Sequence, residues 1–186
     1  LVFLVVFLFL QDFRSTLIPA ISVPVAIIGT FFFLNLFGFS INLLTLFALV
    51  LAIGIVVDDA IVVVEAVHAK LDEGYKSSKK ATIDAMDEIT GAIVSITLVM
   101  AAVFVPVSFI QGSTGVFYKQ FGLTLAISII LSAVNALTLS PALCALLLKP
   151  HKDDHGKKKS FMQRFNIAFN TSFGKLTNRY KGSVSF

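Results

Sequence analysis

The chain has a single cysteine among 186 residues, only 14% charged side chains, and long stretches with no charge at all. One thiol, Cys144, cannot close an intrachain disulfide, and its place in an apolar run leaves the redox compartment open. There is no basic stripe. The net charge of +4 would suit nucleic acid, but the Lys and Arg residues lie between apolar runs, which excludes that partner. No methionine opens the chain, no basic segment precedes Leu1–Leu10, and no small-residue cleavage site follows it. That run is therefore read as the tail of a span and not as a signal peptide, and the chain as an internal piece of a longer protein.

What is abundant is apolar. Hydrophobic residues make up 56% of the sequence, 19 of them Phe. Soluble domains run nearer 45–50%, so the composition predicts an all-α, polytopic membrane protein. About 20 apolar residues cross the hydrocarbon as a helix. By that rule the chain holds the end of one span (1–10) and four complete spans, at 16–36, 41–67, 89–110 and 121–148. A polar stretch at 68–88 and a short loop at 111–120 connect the later ones.

The basic residues fix the sidedness. Arg14, Lys70, Lys76, Lys79, Lys80 and nine more from Lys149 to Lys181 fall on one side, against Lys119 alone on the other. Fourteen against one makes the first side cytoplasmic. Pro24, Pro106 and Pro141 lie within spans and are read as ordinary kinks. Asn42, Thr45, Ser95 and Thr97 are intramembrane polar residues of the kind that bond to helix backbones.

Beyond 148 the pattern changes. Ser160 and Gln163 form a capping-box pair, after which Phe161, Phe165, Phe169 and Phe173 recur every fourth residue. With Arg164, Lys175 and Arg179 alongside, 149–180 reads as a linker and an amphipathic helix in the cytoplasmic interface. Residues 181–186 begin another span. His151 and His155 are read as a solvated linker and not as a metal site, because nothing organises them.

The chemistry concentrates in the third span, where Asp58 and Asp59 interrupt an otherwise apolar run. One carboxylate at a bilayer centre costs about 2.5–3.5 kcal/mol on insertion scales. Successive helix positions are 100° apart, so both acids point to one side, with Glu65 two turns beyond on nearly the same stripe. Gly54, four residues before Asp58, leaves room for another helix to approach. Low polarity favours the neutral acid, and adjacent like charges titrate as a coupled pair. That combination points to proton binding and release, hence to a proton-driven transporter that needs no cofactor beyond the proton motive force. No Lys or Arg lies in the complete spans, so a basic partner must come from elsewhere. Four other readings stand beside this one: a pair locked in structural salt bridges within a non-transporting scaffold, a sodium or divalent-cation site, an intramembrane aspartic protease, and, for Glu65 and His68, boundary residues near the cytoplasmic interface.

The string Gly54-Ile-Val-Val-Asp-Asp-Ala-Ile-Val-Val-Val-Glu65 resembles the fourth transmembrane helix of resistance-nodulation-division (RND) efflux pumps, hydrophobe/amphiphile branch. Four further blocks resemble the same family in order: Leu10-Gln-Asp-Phe-Arg-Ser-Thr-Leu-Ile-Pro19, Phe37-Gly-Phe-Ser-Ile-Asn-Leu-Leu-Thr-Leu46, Val105-Pro-Val-Ser-Phe-Ile-Gln-Gly-Ser-Thr-Gly115 and Leu139-Ser-Pro-Ala-Leu-Cys144. The resemblance implies part of the first half of a twelve-helix transporter, from the end of helix two to the start of helix seven. It implies drug/proton antiport with Asp58 and Asp59 as the relay, and Glu65 and Gly54 as accessory positions. It further implies a homotrimer in the bacterial inner membrane, working with a periplasmic adaptor and an outer-membrane channel on hydrophobic or amphiphilic compounds. Metal-exporting relatives usually carry one aspartate at this point, so the doubled acid favours the drug branch; export of metal ions or lipids is the alternative.

Overall fold

The computed structural model describes residues 3–4, 6–7 and 12–149. The expected interfacial helix, the two linker histidines and the start of the next span lie outside the described residues.

Every regular element among the described residues is a helix: α1 (Phe13–Leu36), α2 (Leu43–Asp72), α3 (Ser78–Val107), α4 (Ser113–Leu137) and α5 (Leu139–Leu147), with Phe3, Leu4, Val6 and Phe7 also helical. By length and composition α1, α2, α3 and the α4–α5 pair can each cross a bilayer. The protein is thus a multi-pass membrane helix bundle.

Local chemistry sets the helix ends. The Asp12 carboxylate accepts from the backbone N–H groups of Arg14 and Ser15 and so caps α1. α1 then stops at a glycine-terminated turn: the Gly38 N–H bonds the Asn35 carbonyl, the Phe39 N–H bonds that of Leu34, and Gly38 takes φ +71°. This left-handed turn is one that glycine adopts without strain. Asn42 opens α2 with a capping box. Its side chain accepts from the N–H of Leu44 and Thr45, and Thr45 Oγ1 accepts from the Asn42 N–H at 2.9 Å. Thr45, Ser95 and Thr97 all donate to backbone carbonyls three or four residues back, as their residue type led one to expect.

Two elements differ from the span count. α3 begins at Ser78, well before Ile89, because Ala81 and Ala85 bury one face of the polar stretch against α2 and α5 while Asp84, Asp87 and Glu88 leave it wet. The hydrophobic span marks where a helix enters lipid and not where it starts. The last expected span is broken at Thr138. Pro141 has no N–H to offer the Leu137 carbonyl, and its ring crowds that oxygen, so α4 ends and α5 restarts at Leu139.

α2 is interior and α3 peripheral: 44% of the apolar window of α2 is buried inside the bundle, against 6% of that of α3. Ala48 and Ala52, one turn apart on α2, let Leu125 and Ile129 of α4 approach closely. A larger cluster joins Val63, Val64 and Val67 of α2 to Ile18, Ala81, Ala85, Ala133 and Cys144. The basic helix ends gather at one pole. There Arg14 reaches the Leu147 carbonyl, Ser78 Oγ donates to that of Leu148 at 2.8 Å, and Lys70 pairs with Glu88 at 2.5 Å. Just beyond α2, the hydrogen bond between Tyr75 and the Asp84 carboxylate holds the phenol above its ordinary range. At the opposite pole Asn42 Nδ2 donates to Gln120 beside Lys119, at 2.6 Å. For the described residues, the charge sorting read from the sequence is therefore present in the fold.

Candidate functional site

Asp58 and Asp59 sit mid-helix in α2, where a continuous i→i−4 ladder fixes their directions. A 100° step sends the two carboxylates to different surroundings. Asp59 is half-buried and faces α4, where Ser132 Oγ donates to its Oδ2. Asp58 is exposed on the bundle surface.

Ser132 belongs to a ladder of hydroxyls. Thr124, Ser128 and Ser132 recur every fourth residue on α4, all buried. Thr124 and Ser128 satisfy themselves on carbonyls one turn back, those of Gln120 and Thr124. Ser128 also meets Thr30 of α1 at 3.2 Å. Nearer the basic pole, Ser22 meets Ser140 at 3.3 Å, and Asn135 Nδ2 reaches the Ser22 carbonyl at 3.5 Å. A polar seam thus runs along α4 behind Asp59. Small hydroxyls suit it because they bond to their own helix while letting a neighbour come near.

The Asp59–Ser132 bond serves both ionisation states. A carboxylate accepts from the hydroxyl; a carboxylic acid still accepts from it on its carbonyl oxygen. Asp59 can therefore gain or lose a proton while the buried Ser132 hydroxyl keeps its acceptor. That is a requirement for any group that titrates away from water.

Asp58 lies on a stripe that stays exposed along the length of α2: Leu43, Phe47, Val50, Gly54, Asp58, Val62 and Glu65. Nothing lies within 4 Å of a Cβ built on Gly54, so no described helix occupies the space beside it. Glu65 is exposed and six residues, or about 1.7 turns, beyond the pair's inner member. The structure therefore joins Asp59 to Ser132, and places Asp58, Gly54 and Glu65 together on one open face. Lys70 pairs with Glu73 and Glu88, and neither ion pair reaches the two aspartates. Nor do three His, Cys, Asp or Glu side chains converge as a metal site among the described residues. An apolar cavity of about 240 Å³ opens between α1 and α2, walled by Pro19, Val23, Pro24, Ile53 and Val57; no ionisable side chain lines it.

Sequence reasoning does not single out Ser132, although the four-residue recurrence of Thr124, Ser128 and Ser132 within a span is visible there. Likewise His68, read as a boundary residue, reaches Ser15 of α1.

Known proteins match this chain along its whole length. It is 51% identical over 184 residues to the multidrug export protein AcrF of Escherichia coli strain K12, a match covering 99% of the chain and 18% of AcrF. The multidrug resistance protein MdtF of the same strain is 49% identical over 184 residues, covering 99% and 17%. The toluene efflux pump membrane transporter TtgB of Pseudomonas putida is 50% identical over 186 residues, again covering 99% and 17%. The chain thus spans less than a fifth of the length of these relatives. The profile of the AcrB/AcrD/AcrF family matches residues 1–186. The chain belongs to the AcrB/AcrD/AcrF family.

Proposed function

We propose that this chain is part of the membrane domain of a proton-driven efflux transporter that exports hydrophobic or amphiphilic compounds, with Asp58 and Asp59 as its proton relay. The observation that carries the reading is the unequal placement of the two carboxylates. Asp59 is tethered inside the bundle by Ser132, while Asp58 sits one residue away on an open stripe with Gly54 and Glu65. One acid faces the helices that are here, and the other faces a position where a further helix docks. A proton gained by the coupled pair removes charge from that face, releases any cation held against it, and lets the docked helix move. A proton crossing 100 mV supplies about 2.3 kcal/mol, enough to bias such a two-state packing.

Efflux of hydrophobic compounds agrees with what the relatives' names say of them: multidrug export, multidrug resistance and toluene efflux. The family resemblance implies in addition that the whole protein acts in the bacterial inner membrane as a homotrimer, with a periplasmic adaptor and an outer-membrane channel. Glu65 and Gly54 act as accessory positions, the first at the interface and the second in close helix packing.

The test is Asp58→Asn and Asp59→Asn, made separately in the full-length transporter, with membrane abundance and trimer assembly checked in parallel. Efflux falls to background in both while assembly stays intact. A well-assembled variant that still exports its compounds would leave the pair a structural role only.

A further inference from the structure

We propose that Asp12, Ser15 and His68 form a second proton-binding site, at the basic pole of the bundle, whose protonation tightens the contact between α1 and α2. The three groups form one hydrogen-bonded chain. Ser15 Oγ lies 2.8 Å from Asp12 Oδ2 and 2.5 Å from His68 Nε2. Ser15 is fully buried, so its hydroxyl has no water to turn to.

A hydroxyl owns one hydrogen. The Asp12 carboxylate accepts only, and its oxygens also receive the N–H groups of Arg14 and Ser15 as the cap of α1. Ser15 therefore gives its hydrogen to Asp12 and must receive one from His68. This fixes the neutral imidazole as the Nε2–H tautomer and leaves Nδ1 to take up a proton. Binding at Nδ1 puts a positive charge on the ring and keeps the Nε2–H donor in place. The link to Ser15 becomes charge-assisted, with the Asp12 carboxylate completing the chain. With the ring neutral, the bond lacks this charge assistance and is weaker.

Other charges surround this site. Glu65 and Asp72 flank His68 at three and four residues' distance on α2. Arg14 on α1 is directed to the Leu147 carbonyl. Lys70 is engaged by Glu88 and Glu73, and Asp84 by Tyr75. Lys76 before α3, Asp87, Lys79 and Lys80 on α3 and Lys149 after α5 are the other charged groups at this pole among the described residues. Asp12 is the carboxylate joined to the imidazole through a hydroxyl. The site sits on the helix that carries Asp58 and Asp59, ten residues away, or about 15 Å along the axis. Its state can thereby reach the relay as a shift in how α2 is held against α1.

The test uses the full-length transporter in lipid nanodiscs, with spin labels on Phe13→Cys and Ala69→Cys; both positions are exposed, and native Cys144 is buried. Imidazoles titrate between about pH 5 and 8, so distances are measured at about pH 6 and pH 8.5. The parent shows a narrow distribution at the lower pH that broadens at the higher one. His68→Gln keeps a neutral donor to Ser15 and loses the pH response. Ser15→Ala severs the chain and gives the broad distribution at both values. A parent distribution indifferent to pH, or either variant responding as the parent does, overturns the proposal. In 15N NMR of the histidine-labelled protein, a neutral His68 carrying its proton on Nδ1 would overturn it as well. None of these readouts requires transport, so they stand or fall apart from the relay.

Discussion

Removing the Ser132 hydroxyl is the sharpest probe of how Asp59 is held. Ser132→Ala deletes one oxygen from a buried position on α4 and leaves Asp59, across the interface on α2, without its donor. Hydrogen bonds between transmembrane helices average about 0.6 kcal/mol in double-mutant cycles and reach about 1.7. Bonds to a charged partner lie at the upper end of any such range. Asp59 is only half-buried, so part of the loss is recovered by other contacts, and the expected coupling is about 1–1.5 kcal/mol. Two side chains in direct contact couple non-additively, so the measurement is a cycle over Ser132→Ala, Asp59→Asn and the double variant. The full-length transporter is unfolded reversibly in bicelles and the four stabilities are compared. Ser132→Ala alone destabilises; in the Asp59→Asn background the same change costs much less. A coupling below about 0.3 kcal/mol, within the scatter of independent sites, would refute the claim that this bond anchors the acid.

Three further outcomes follow from the packing. Ile18→Ala opens a void among Val63, Val64 and Val67 and costs about 2–4 kcal/mol, while Ile28→Ala on the exposed face of α1 stays within about 0.5, both read from unfolding midpoints. Ala52→Leu overfills the α2–α4 contact and destabilises by about 1–3 kcal/mol, with loss of the Ala48–Leu125 packing visible as weaker side-chain order in methyl NMR. Gly115→Ala is worse than Gly91→Ala in an expression and thermostability screen: a Cβ at 115 would lie 2.0 Å from the Ile110 carbonyl oxygen, whereas nothing stands within 4 Å at 91.

Much of the fold could be read from the sequence because its physics is local. Apolar runs long enough to cross lipid appear as helices α1, α2 and α3, and the lone Lys119 lies at the pole opposite Arg14 and Lys70. Hydropathy does not report where a helix continues into water. α3 therefore starts earlier than its span, on the strength of two alanines, Ala81 and Ala85, that bury one turn after another. Nor does hydropathy report the break at Thr138, which comes from one missing N–H at Pro141. The aspartates announced themselves by the energy of placing acid in hydrocarbon. Their partition, Asp59 toward Ser132 and Asp58 toward open space, is a matter of which helix packs where. The link from Ser15 to His68 spans 53 residues of sequence, and no periodicity encodes it.

The claim on which the functional account turns is that the Asp58–Asp59 pair takes up and gives back protons as the transporter works. Infrared difference spectroscopy of the intact transporter, energised and then collapsed, measures this at the carboxyl stretch. A protonated-carboxyl band that rises and falls with turnover, and disappears in Asp58→Asn and Asp59→Asn, is the predicted result. Carboxyl bands that keep a single intensity throughout the cycle would contradict it.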